Sequence, residues 1–243
     1  DNRGVGQYDL SALCAVLAKE YEWAKKLNSQ ARQASAERAW QSIKRFYGNC
    51  KNPAIKKKGY PRFKKSRSVE YKTTGYKLSE DRQSITFTDG FKAGSFRMMG
   101  AFDLNYYQPE QIKRVRVVRR ADGYYAQFCF AIDRLEAVEP TEQVIALDVG
   151  LMHFYTDNRG NKVENPRHLR KSEKALKRLQ KQVSRKVKSS NKRKKAINKL
   201  VRKHLQVSRQ RKDFAVKLAR YVVKSNDLVV FEKLMVRNMV KNR

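Results

Sequence analysis

Val144-Ile145-Ala146-Leu147-Asp148-Val149-Gly150 decides how the second half of this chain is read. Four apolar residues lead straight into one aspartate, and a glycine follows two positions later. A short apolar run of this kind predicts a strand buried on both faces. Asp148 then stands at the strand's end, where a carboxylate needs a cation or hydrogen bonds to satisfy it. Gly150 permits a sharp turn and close approach by a ligand. Strand-ending Asp-x-Gly also occurs in plain turns, so the surroundings must decide. Asp227-Leu228-Val229-Val230-Phe231-Glu232 repeats the pattern, again with a carboxylate at the end. If the two strands are neighbours in one sheet, Asp148 and Glu232 meet at its edge. Hard divalent cations such as Mg2+ take carboxylate oxygens and keep substrate phosphates as further ligands. Two such ions can clamp the attacking and leaving oxygens of an in-line phosphodiester displacement. The competing reading is that both carboxylates cap strands or pair with nearby arginines.

Between the two strands the chain is helical and basic. Phe154-Tyr155-Thr156 followed by Asp157-Asn158-Arg159-Gly160 predicts a hairpin back along the same sheet. Pro166 then opens a long helical region. Leu169, Leu176, Leu179, Val183 and Val187 form one apolar stripe. Ile197, Leu200, Val201, Leu205, Ala215, Leu218 and Val222 form a second. Ser189-Ser190-Asn191 predicts the turn between two antiparallel helices. From Arg167 to Lys224 the only acids are Glu173 and Asp213. A helix charged only for solubility would mix both signs, because like charges at i,i+4 repel. The excess therefore points to a bound polyanion, with Arg170, Lys171, Lys174, Arg178, Arg185, Lys192 and Arg193 as candidate contacts.

The first half reads differently. From about Asp9 to Tyr47 the periodicity is helical, with Leu10, Leu13, Leu17, Tyr21 and Ala24 on one stripe. Ala36, Ala39, Trp40, Ile43 and Phe46 form another, and Asn28-Ser29-Gln30 marks the junction of a helical pair. Between Lys51 and Arg67 two prolines and a glycine exclude a long regular element. Its bases interleave with aromatics, which suits phosphates beside stacked bases. Lys56, Lys57, Lys58, Tyr60, Arg62, Phe63, Lys64 and Lys65 are candidate nucleic-acid contacts; a solvated linker is the alternative. From Val69 to Ile132 the period is two. Ser84 to Thr88 ends at Asp89-Gly90, a turn signal. Ile112 to Arg120 turns through Ala121-Asp122-Gly123 and returns from Tyr124 to Ile132. Arg114 and Arg116 alternate with Val115 and Val117, which predicts one buried and one basic face, in an antiparallel sheet or small barrel. Glu136 to Glu142, with Pro140, reads as a linker.

Composition agrees with a polyanion partner. The 243 residues hold 56 Lys+Arg against 23 Asp+Glu, a formal net charge of +33. Each phosphate neutralised releases condensed counterions, which drives association. A basic membrane-surface protein or a ribosomal or histone-like structural role would also explain the charge. Cys14, Cys50 and Cys129 are scattered without a C-x-x-C pair, so they give neither a zinc site nor a disulfide framework. No run approaches the roughly twenty apolar residues of a membrane span. The chain begins at Asp1 and stops at Arg243 amid basic residues, and both ends read as cut from something longer.

The motifs Ala146-Leu147-Asp148-Val149-Gly150-Leu151, Glu164-Asn165-Pro166-Arg167, Leu169 to Gln180, Ser208 to Phe214 and Val230 to Met239 occur in one order. In that order the chain resembles the TnpB (OrfB) proteins of insertion-sequence transposons, relatives of type V CRISPR effectors. Gly59-Tyr60-Pro61-Arg62-Phe63-Lys64 resembles the family's upstream basic loop. The resemblance implies an α/β and α+β multidomain protein. Residues 1–58 would be part of a helical recognition lobe. Residues 59–139 would be a β-barrel wedge domain, and 140–243 a RuvC-type, RNase H-like nuclease domain with a long basic hairpin. It implies an RNA-guided DNA endonuclease with guide RNA and target duplex as partners, monomeric or homodimeric, in a bacterial or archaeal cytoplasm. Asp148 and Glu232 fall on two of the family's three Mg2+-binding carboxylates. The family's first wedge strand, its third carboxylate and its zinc-ribbon cysteines, which would bind Zn2+, have no counterpart between Asp1 and Arg243. A nuclease-inactive, RNA-guided DNA-binding protein is therefore the alternative, and a generic structural RNA-binding protein a third reading.

Overall fold

A computed structural model of the chain describes residues 4–63, 67–100, 102–133 and 139–235. It divides into two units, Asp1–Arg134 and Leu135–Arg243. The first opens with helices α1 (Gln7–Glu20), α2 (Glu22–Lys26) and α3 (Ser29–Lys51). Tyr21 is extended and breaks the first stripe into two helices. Asn28 caps α3, its side-chain oxygen accepting from the Gln30 backbone N–H at 2.8 Å. Such a cap satisfies one of the donors that a helix start leaves without a partner. Arg32 closes the preceding end by donating to the carbonyls of Ala24 and Leu27, each at 2.8 Å.

Strands β1 (Ser68–Lys72), β2 (Tyr76–Leu78), β3 (Ser84–Phe87), β4 (Ser95–Arg97), β5 (Ile112–Arg120) and β6 (Gly123–Phe130) follow. They form two antiparallel three-stranded sheets, in the orders β1-β5-β6 and β2-β3-β4. The β5–β6 hairpin turns through Ala121 and Asp122, with Arg120 opposite Gly123. The small barrel expected from the sequence is not closed among the described residues. Period-two alternation dictates strands with one buried face, but not whether a sheet curls round to meet itself. Ala31 of α3, Tyr71, Tyr76, Ile85, Ile112 and Val115 make the core where helix and strands meet.

The second unit contains β7 (Val144–Asp148), β8 (His153–Asp157), β9 (Lys162–Glu164), α4 (His168–Ser184), α5 (Asn191–Ser225) and β10 (Leu228–Phe231). The sheet order is β10-β7-β8-β9, antiparallel throughout except for the parallel β10–β7 pair. Leu176, Val183 and Leu200 seal the α4–α5 hairpin. At 35 residues, α5 is about 52 Å long. Phe154 on β8 meets Phe214 on α5 edge to face, with ring centroids 5.1 Å apart.

One expectation is corrected here. β7 is not buried on both faces: Val144, Ala146 and Asp148 are exposed while Ile145 and Leu147 are half-buried. Leu228 and Val230, opposite Val144 and Ala146, are exposed too. An apolar run reports that a strand can be buried twice over; which faces are covered depends on what else packs there. No helix among the described residues is long and apolar enough to cross a membrane.

Candidate metal centre and nucleic-acid surface

Asp148 is the last residue of β7, held in register opposite Thr156 of β8. On the other side β10 runs parallel, pairing Leu228 with Val144 and so on to Phe231 with Leu147. β10 ends at Phe231, so Glu232 is the first residue after that strand, as Asp148 is the last of β7. Neighbouring strands lie about 4.8 Å apart, and residues paired across a sheet share a face. Asp148 and Glu232 therefore lie at the carboxyl ends of adjacent parallel strands, and both residues are exposed.

The register is secured from the opposite end. Asp227, just before β10, accepts from the Thr141 backbone N–H at 3.0 Å, the Thr141 hydroxyl at 2.9 Å and the Glu142 N–H at 2.7 Å. Its own N–H donates to the Gln143 carbonyl at 2.9 Å. The bonds from Thr141, backbone first, hold the Asp227 carboxyl below the usual carboxylate range. Asp157 is similarly committed, its carboxylate accepting from Asn161 and from the Arg159 N–H in the β8–β9 turn. Asp227 and Asp157 are thus fastenings of the sheet. Asp148 and Glu232 are the pair at its end.

Two carboxylates at adjacent strand ends fit a hard divalent cation, since Mg2+ is commonly held by one or two carboxylates with the remaining positions filled by water or substrate phosphate. Among the described residues no group of three or more His, Cys, Asp or Glu gathers around one point.

The basic candidates divide by what already occupies them. Arg114 donates to Glu70 at 3.0 Å and to Glu37 of α3 at 2.9 Å. Arg116 donates to Glu70 through Nε at 2.9 Å and Nη2 at 2.6 Å. Lys72 pairs with the other oxygen of Glu37. Glu70 is only 5% exposed. Burial pushes its carboxyl up, but the hydrogen bonds and charges of Arg116 and Arg114 outweigh this and leave it lowered. Three cations of the face that alternation marks as basic are thus engaged by two glutamates, one of them from α3.

Two further cations cap helices. Lys58 donates to the carbonyls of Asn49 and Asn52 at the end of α3, at 3.1 and 2.9 Å. Arg193 donates to those of Val183 and Lys186 at the end of α4, at 2.9 and 3.2 Å. Last-turn carbonyls lack intrahelical partners, so a cation there satisfies both hydrogen bonding and the helix dipole. Lys56, Lys57, Arg62, Arg170, Lys171, Lys174, Arg178, Arg185 and Lys192 are exposed. Tyr60 packs edge-on against Phe46 at 5.1 Å while keeping most of its surface open, and Phe63 is fully exposed. Lys64 and Lys65 lie outside the described residues.

Reading residues one at a time misses Glu37, Glu70 and Asp227. The only local signal for Glu70 was an acid in a β-strand beside a strand rich in arginine.

Fold and site together define a strongly basic α+β protein that sets a carboxylate pair at the end of a mixed sheet. Residues 127–243 match the OrfB family, described as "Probable transposase". A protein of Streptomyces pristinaespiralis, provisionally named an RNA-guided DNA endonuclease, is 29% identical over 210 residues, covering 83% of this chain and 50% of that protein. InsQ of Escherichia coli K12, provisionally named for the same activity, is 29% identical over 228 residues, covering 93% of this chain and 53% of its own. Through these matches the chain is similar to the TnpB (OrfB) proteins, most directly over residues 127–243. It spans about half the length of the curated relatives it matches.

Proposed function

We propose that the chain is the part of an RNA-guided DNA endonuclease that carries two of its metal-binding carboxylates and part of its nucleic-acid surface. The observation that supports this reading is the parallel β7–β10 pairing, which sets Phe231 opposite Leu147, the residues just before Glu232 and Asp148. The second unit is then the core of a RuvC-type, RNase H-like nuclease domain. The first would be the recognition lobe and wedge that hold guide RNA and target duplex. Asp148 and Glu232 would hold Mg2+, which when bound would activate a water and neutralise charge developing on the scissile phosphate. The protein's part would be to align both carboxylates. The exposed cations of the α4–α5 hairpin would bring in the phosphate backbone, which a protein reads by shape and charge while base pairing reads sequence.

The test is cleavage of a plasmid carrying a guide-matched target, by purified protein with guide RNA and Mg2+. Asp148→Ala combined with Glu232→Ala is expected to abolish cleavage while guide-RNA affinity stays within about threefold, under 1 kcal/mol. Undiminished cleavage by that variant would sink the assignment. A second reading is a guided DNA binder without nuclease activity, in which the exposed cations of the α4–α5 hairpin hold the phosphate backbone and nothing is cut. Guide-dependent target binding with no break by the unaltered protein would select it.

A further inference from the structure

The last third of α5 carries an aromatic feature that neither the carboxylate pair nor the basic contacts considered so far use. A shallow groove of about 380 Å3 is lined by Lys217, Arg220, Tyr221, Lys224 and Ser225. Tyr221 is 67% exposed and stacks on no other ring among the described residues. An open tyrosine of that extent on a helix that turns its apolar stripe inward is not serving the core. Val222, the next residue, is the one that is buried. At 1.5 Å per residue, Lys217 lies about 6 Å before the ring along the helix and Lys224 about 4.5 Å after it. Positive charge therefore brackets the ring on both sides along the helix. Lys217 also pairs with Asp213 at 2.8 Å, but both side chains are largely exposed. Such i,i+4 pairs contribute only a few tenths of a kcal/mol, so a phosphate can displace the partner. Tyr221 also lies near enough to Tyr155 of β8, the strand beside Asp148, to contribute to raising that hydroxyl's pKa after burial and Asp157.

We infer that Tyr221 is a stacking platform for an unpaired base of single-stranded nucleic acid, with Lys217, Arg220 and Lys224 holding the flanking phosphates. A planar ring offers sequence-tolerant stacking to any base, and neighbouring cations track the backbone on either side. Duplex DNA or a duplex hybrid has its bases already stacked and would meet only the cations. The site accepts an unpaired stretch of DNA or of RNA by the same chemistry. The assignment rests on the nucleic-acid reading proposed above, and it names which form of the polymer this end of α5 takes.

The test is fluorescence anisotropy of the whole chain with labelled oligothymidylate, oligouridylate and a mixed-sequence DNA duplex, without guide or metal. Tyr221→Leu is expected to weaken single-strand binding on the order of tenfold, the worth of one base–aromatic stack, and to leave duplex binding unchanged. Tyr221→Phe is expected to bind like the unaltered chain, because it keeps the ring. Lys224→Gln should lower the salt dependence of single-strand binding by about 0.7, the share of one phosphate. A greater loss on oligothymidylate assigns the platform to displaced DNA, and a greater loss on oligouridylate assigns it to guide RNA. Unaltered single-strand binding by Tyr221→Leu, or equal losses on single strands and duplex, overturns the inference. Because no cleavage is measured, failure of the nuclease reading would leave this result interpretable. Failure of the platform would likewise leave the carboxylate pair untouched.

Discussion

Replacing Glu70 by glutamine should weaken the N-terminal unit by about 2 kcal/mol. The carboxylate is 5% exposed and accepts three hydrogen bonds from two guanidinium groups. Hydrogen bonds to charged groups are worth roughly 1.5–3 kcal/mol each, and removing one partner of a fully buried pair costs about 3–5 kcal/mol. Two features reduce that figure. Arg114 keeps Glu37, and the Arg116 side chain is 47% exposed, so water can take up its donors. Glutamine also retains one acceptor oxygen. Urea unfolding followed by tryptophan fluorescence is the assay, because both tryptophans, Trp23 and Trp40, lie in the N-terminal unit. With a urea slope of about 2 kcal/mol/M, the midpoint should fall by roughly 1 M. The pH dependence gives an independent check. Burial raises the Glu70 and Glu37 carboxyls, but their cationic partners lower them further, so both end below the ordinary range. A lowered folded-state pKa means that the stabilisation is fully present above the unfolded value, about 4.3, and is lost as pH falls through the folded value. The unaltered chain should therefore lose stability steeply below about pH 4.3, and Glu70→Gln should lose less over the same window. A midpoint unchanged by the substitution, or the same acid dependence in both proteins, would refute the idea that this network ties α3 to the sheet.

Asp89→Ala should also destabilise this unit by about 2 kcal/mol, read by the same fluorescence assay. Its carboxylate accepts from the Asn28 backbone N–H and the Tyr71 hydroxyl, each at 2.7 Å, while the neighbouring Gly90 N–H donates to the Lys26 carbonyl. Tyr71→Phe removes one of those bonds and should cost about half as much. Arg193→Ala should lower the stability of the α4–α5 hairpin by about 1 kcal/mol in a circular-dichroism melt, since it removes the side-chain donor that bridges the Val183 and Lys186 carbonyls. If capping is its main task, the salt slope of nucleic-acid binding should change by much less than the roughly 0.7–0.9 expected for one lost phosphate contact. A full unit of change would return Arg193 to the binding surface.

Much of the local structure was legible in the chain. The apolar stripes marked α1, α3, α4 and α5, and the Asn28 junction became the cap of α3. The turn at Ala121 and Asp122 produced the longest hairpin. These readings succeed because helix and strand periods are properties of the backbone, and a capping side chain acts on its immediate neighbours. The break at Tyr21 escaped, since Tyr21 sits on the apolar stripe and only its extended backbone separates α1 from α2. The two strand-end carboxylates were visible as residues, but the pairing of β10 with β7 entered there only as a condition, because nothing local sets the partner of a parallel strand so far along the chain.

The charge illustrates the same division. Sequence alone determines that this protein carries +33, that its α4–α5 hairpin is nearly devoid of acids, and that aspartate and glutamate end two apolar strands. Tertiary structure decides which of those charges are available. It sets Glu37 and Glu70 against Arg114 and Arg116, closes α3 with Lys58 and α4 with Arg193, and leaves Tyr221 open between lysines. It also leaves one face of β7 open where an apolar run promised two covered faces. Composition counts charges and apolar surface, whereas burial and ion pairing arise only when segments remote in the chain meet in space.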